Sequence, residues 1–149
     1  MISFFNPYLG FSHEVETAMI SAIDTIVSDY DLELEYMNIV VLSDDELLKM
    51  NVDYLGHDYY TDIITFNYSE APKVLEAELY ISRDRVGENA ETNQVSINDE
   101  MKRVIVHGTL HLAGFDDQTD LQKKEMRRLE EHYMKAGSFH VKQNNKIEA

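Results

Sequence analysis

Residues 101–115 read MKRVIVHGTLHLAGF. Wound into a helix, this segment presents apolar side chains on nearly every face, so it cannot lie on a surface. It must be enclosed on most sides, and the rest of the chain has to supply the enclosure. Hydrophobic residues make up 44% of the 149 positions, enough for one domain with a sizeable core. The expected domain is 1–137, and the polar stretch 138–149 reads as a flexible tail.

The elements that could enclose the helix are legible from local signals. ISFFN at the start suits a short strand, broken by Pro7 and Gly10. Ser12 is placed to cap a helix with Glu14 and Glu16 in its first turn. Val15, Ala18, Met19, Ala22, Ile23 and Ile26 give it an apolar stripe. LEYMNIVVL (34–42) is a strand, although its apolar residues do not strictly alternate, and SDDE (43–46) is a capping box for a helix to about Leu55. TDIITFNY (61–68) and VLEAELYIS (74–82) are strands joined across Pro72, and a helix is expected over Arg83–Glu91. Ser96 caps the apolar helix, and Thr119 with Gln122 opens a last helix ending near Gly137. Interleaved strands and helices predict an α/β (α+β) fold: a single mixed sheet of about four strands covered by helices around a central buried helix.

That central helix carries His107 and His111, and Asp117 follows it. Imidazoles four residues apart on a helix share a face and can hold one ion. Gly114 permits a left-handed turn that brings the chain back, and Asp117 arrives as a carboxylate third ligand. Two imidazoles and one carboxylate leave a fourth position open, the arrangement of catalytic zinc. Gly108 costs ~1 kcal/mol inside a helix and implies close approach of another group. The competing reading makes both histidines core residues, their rings hydrogen-bonded to protein partners.

There is no cysteine, so disulfides and thiolate ligands are excluded and any metal must be held by His, Asp or Glu. No apolar run is long enough for a membrane span, and MISFFNPYLG has neither a basic n-region nor a cleavage site. A cytoplasmic protein is expected. The net charge of −15 runs against a broad phosphate-binding surface. Lys102 with Arg103, Arg83 with Arg85, and the group Lys123, Lys124, Arg127 and Arg128 read as solvated helix faces.

HGTLHLAGFDD (107–117) resembles the H-G-x-L-H-L-x-G-Y-D-H signature of the YbeY family, bacterial endoribonucleases of ribosomal RNA maturation. MNVDYLGHDYYTDIITF (50–66) resembles the family block L-N-x-x-Y-R-x-x-D-x-x-T-D-V-L-S-F, and AELYIS (77–82) its G-D-I-x-I-S strand. The likeness runs from about Asn38 to Tyr133. It implies one zinc ion, with Mn²⁺ or Mg²⁺ less favoured, held by His107, His111 and Asp117, which are also the catalytic centre. It implies a single-strand-specific endoribonuclease of 16S 3′-end maturation and ribosome quality control. Single-stranded or ribosomal RNA would be its substrate, with ribosomal proteins or an assembly GTPase as partners and no membrane.

Two positions depart from the family. Asp117 stands where the signature has histidine, and Leu55 where the second block has arginine. An arginine there would contact phosphate or stabilise developing charge, and His57 and Arg83 are the available substitutes. Asp116 is expected in helix-end capping or hydrogen-bonded behind the ligands. Glu78 matches the family's aspartate and is a candidate supporting acid, or a plain surface carboxylate. Metzincin proteases share the ligand spacing, but Gly108 stands where they carry the glutamate base. Two alternatives are a non-catalytic ribosome-assembly factor with a structural metal and a metallohydrolase acting on a non-RNA substrate.

Overall fold

The computed structural model describes residues 1–8 and 10–143, with side chains as far as Lys135. Four strands, β1 (Ile2–Phe5), β2 (Glu33–Leu42), β3 (Ile63–Asn67) and β4 (Val74–Ser82), form one mixed sheet in the order β1-β2-β4-β3. The first three neighbours in that order are parallel, and the edge strand β3 runs antiparallel to β4. Parallel β1 and β2 need a long crossover, which helix α1 (His13–Asp29) provides, whereas β3 and β4 need only the short hairpin through Pro72.

Ser12 caps α1 by accepting from the Val15 N–H, and Ser43 and Glu46 close the expected capping box of α2 (Asp44–Met50). A wide π-helical turn, Asn51–Leu55, extends α2 to the anticipated end. Helix α3 covers Arg83–Asn93 and α4, the apolar helix, Ile97–Leu112. Helix α5 opens at Asp120 with the Thr119–Gln122 pair in place and runs to Gln143. It therefore continues past Gly137, where a break was expected. Of the expected tail, residues 144–149 lie outside the described residues.

Along β2 the inward residues Met37, Ile39 and Val41 are fully buried, and the alternate residues Tyr36, Asn38 and Val40 are not. The alternation that the letters blur is thus present in burial, because Val40 is apolar but faces the uncovered side. These residues join Leu79 and Ile81 of β4, Met19 and Ile23 of α1, and Val104 and Ile105 of α4 in one core. A second core lies on the far side of α4, where Val106 and Leu110 meet Ala22, Ile26, Met126, Leu129 and Tyr133. Helix α4 is sandwiched between the sheet and the α1–α5 pair. That is why its sequence is apolar all round.

Candidate metal centre

Helix α4 runs beside β3, and Gly108 marks the contact. A Cβ built on Gly108 would lie 2.7 Å from Ile63 Cδ1, 3.2 Å from Thr65 Cγ2 and 3.3 Å from Leu79 Cδ2. The close approach inferred from this glycine is the helix lying directly on the sheet. His107 and His111 emerge where α4 passes the edge of β3, half-buried at the floor of a cleft of about 520 Å³.

The third group arrives through the helix end. Gly114 has φ +107°, and the Phe115 N–H donates back to the Leu110 carbonyl at 3.0 Å. Phe115 then packs edge-on against Tyr30, with centroids 5.0 Å apart, which anchors the returning chain. Asp117 Oδ2 comes to rest 3.4 Å from His107 Nε2 and 3.5 Å from His111 Nε2, and the two Nε2 atoms are 3.1 Å apart. Ligands bonded at about 2.0–2.2 Å to a tetrahedral ion sit about 3.3–3.6 Å from one another. The two carboxylate–imidazole distances fall in that range and the imidazole–imidazole distance is slightly shorter, so the three atoms could share one ion, and all three residues line the cleft. Among the described residues this is the group of three donors close enough to share an ion.

Asp116 is exposed and outside that group; one of its carboxylate oxygens accepts from the Asp117 N–H at 3.3 Å. Glu78 points away from the site, on the opposite face of β4 from Leu79, and accepts from Tyr68 at 2.9 Å and Tyr80 at 2.7 Å. It takes the surface reading, because neighbouring residues of a strand face opposite sides. Leu55 and His57 line the cleft, and His57 stacks on Tyr59 at 5.2 Å. Arg83 does not line it; its guanidinium lies 4.1 Å over the Tyr8 ring. Lys102 and Arg103 are not on a solvated face either. Lys102 is 4% exposed, donates to the Met134 carbonyl and has its pKa lowered by burial. Arg103 pairs with Glu100 and Glu130.

Two residues of the site were not found in the sequence. Asp62 lines the cleft beside the imidazoles. Glu130, buried on α5, has Oε2 2.5 Å from His107 Nδ1. It hides in the charged run RRLEEH, which looks like a solvated face. Helical phase was the usable signal, since Glu130 lies one turn from both Met126 and Tyr133, which are buried. Burial is the largest single influence and disfavours the His107 imidazolium, but the Glu130 hydrogen bond and the charges of Glu130, Asp62 and Asp117 together outweigh it. The His107 pKa in the metal-free chain is therefore raised.

The profile of a family described as Endoribonuclease YbeY matches residues 8–138. An Endoribonuclease YbeY of Flavobacterium psychrophilum is 38% identical over 144 residues, covering 97% of this chain and all of that protein. Another, from Amoebophilus asiaticus, is 43% identical over 114 residues, 76% of this chain and 78% of its own length. The solution structure of a Thermotoga maritima protein superposes with a TM-score of 0.66 at 27% identity, covering 97% of this chain and 93% of that one.

Proposed function

The chain belongs to the YbeY endoribonuclease family, and from that premise we propose that it is a zinc-dependent nuclease cutting single-stranded RNA. Its work would be in the cytoplasm, in ribosomal RNA maturation at the 16S 3′ end and in ribosome quality control. The observation that carries the metal reading is the triangle of His107 Nε2, His111 Nε2 and Asp117 Oδ2, spaced as ligands of one tetrahedral ion. Among the described residues, no helix is long and apolar enough to cross a membrane.

When bound, the ion supplies Lewis acidity toward a phosphodiester oxygen. The protein supplies the geometry. Asp117 brings an anionic ligand, which lowers the charge of the site and makes a harder ion such as Mn²⁺ or Mg²⁺ more competitive than it would be with three imidazoles. The cleft has the size of small-ligand sites, so it admits an unpaired nucleotide more readily than a duplex. Gly108 occupies the position of the glutamate base of HExxH proteases and faces the sheet, which disfavours peptide hydrolysis.

Among the described residues no lysine or arginine lines the cleft, so local charge does little to attract phosphate. This favours docking on basic ribosomal proteins as the route by which an acidic chain reaches RNA, and it keeps the non-catalytic assembly factor as the second reading. Cleavage of a synthetic single-stranded RNA separates the two. Wild type should cut with zinc present, chelator should stop it, and His111→Ala should be inactive while unstructured peptides stay intact. Equal cleavage by wild type and His111→Ala would remove the nuclease reading.

Leu55 offers a gain-of-function test. It is 43% exposed on the cleft wall, where the family block has arginine. Leu55→Arg should tighten RNA binding by about three- to tenfold, the lower end of a charge-assisted hydrogen bond because solvent screens the site. A fluorescence-anisotropy titration in the presence of chelator measures this without turnover. Unchanged affinity would place the phosphate path elsewhere.

A further inference from the structure

Behind the ligand triangle lies a line of charged groups that the metal reading does not itself require. Glu100 and Arg103 sit one turn apart on α4, and Arg103 is bound to Glu100 through Nη2 and, at 3.1 Å, through Nε. Arg103 Nη1 donates to Glu130 Oε1 at 3.0 Å, and Glu130 Oε2 faces His107 Nδ1 at 2.5 Å. Glu100 is 1% exposed and Glu130 6%. Ionised carboxylates this deep persist only when paired. The line holds two carboxylates to one guanidinium, so one negative charge is left over, and it ends at His107.

We infer that Glu130 is a positioning residue, which acts through His107 to set the nitrogen offered to the metal; this rests on the metal reading above. An ionised carboxylate can only accept, so the Nδ1 facing Glu130 must carry the proton. In the neutral imidazole that a metal requires, the other nitrogen, Nε2, is then unprotonated toward His111 and Asp117. The other tautomer would put hydrogen on the atom that has to bind the ion. Arg103, itself fixed by Glu100, holds the carboxylate in place from α4, while Glu130 comes from α5. The docking of these two helices therefore orients the ring, and the excess negative charge behind it strengthens the imidazole as a donor.

The test uses the full-length protein and two readouts. Zinc affinity is measured by competition with a chromophoric chelator, and the His107 ring nitrogens are read from long-range ¹H–¹⁵N spectra of the metal-free protein at alkaline pH, where the ring is neutral and its tautomer defined. Wild-type His107 should be the Nδ1–H tautomer. Glu130→Gln should weaken zinc binding about 10- to 100-fold and mix the tautomers. Glu130→Asp, which keeps the charge but withdraws it, should fall between. A merely structural contact would lower the melting temperature while leaving zinc affinity and the ring signals unchanged. That result overturns the inference, as does an Nε2–H tautomer in wild type, which needs no variant to fold. If wild type binds no zinc at all, the metal reading fails; if it does but Glu130→Gln binds equally well, only the role of Glu130 is lost.

Discussion

His107→Ala, His111→Ala and Asp117→Ala should each lose bound metal on elemental analysis, while Asp116→Ala should retain it. Removing any one of the three donors leaves two atoms facing the position of the ion, 3.1–3.5 Å apart as they now stand. A zinc site that keeps an open corner has no ligand to spare, so the loss should exceed the about 10- to 100-fold expected of a supporting partner. Asp116 and Asp117 are neighbours with the same side chain, which makes their comparison the sharpest part of the experiment. Asp116 only caps the Asp117 N–H. Full occupancy in Asp117→Ala would mean that the carboxylate is not a ligand, and loss in Asp116→Ala would exchange the roles of the pair.

Gly108→Val should destabilise the fold and loosen the site together. Ile63, Thr65 and Leu79 already crowd the space that a Cβ would enter, the nearest atom at 2.7 Å. Each contacting atom is a side-chain end, so the sheet can yield somewhat, and overpacking of this kind costs about 1–3 kcal/mol. The two added methyl groups point into the same gap. Urea unfolding should show a lower midpoint at unchanged m-value. Because Gly108 is flanked by His107, a helix pushed off the sheet carries the ligands with it, and zinc affinity should drop in parallel. Gly108→Ala is the milder control: its smaller clash is offset by ~1 kcal/mol of helix propensity. A valine variant as stable as wild type would show that α4 is not pressed against β3.

Much of the site is written in short-range spacing. His107 and His111 share a face because a helix repeats every 3.6 residues, and Gly114 turns the chain because only a residue tolerant of positive φ ends the helix that way. The caps at Ser12, Ser43, Ser96 and Thr119 are equally local, and each is formed. Errors arose where a residue's partner is distant. Lys102 and Arg103 look like a solvated pair, yet they reach Met134 and Glu130 on α5. Glu78 matches a family acid in the AELYIS motif, but strand parity turns it to the face opposite the cleft. The last helix does not stop at Gly137, since one glycine costs only ~1 kcal/mol and does not by itself break a helix.

What the sequence by itself determined was the set of elements, the need to bury α4 from all sides, and the identity of three donors within one helix and its turn. All of these follow from spacing along the chain, where covalent geometry does the placing. Tertiary structure alone decided that His107 is backed by Glu130 and that Gly108 lies against Leu79 and the edge strand. Those contacts exist only because the sheet and α5 enclose opposite sides of the same helix, and packing between distant segments sets them by shape and burial. The candidate donors are local. The groups packed behind them are not.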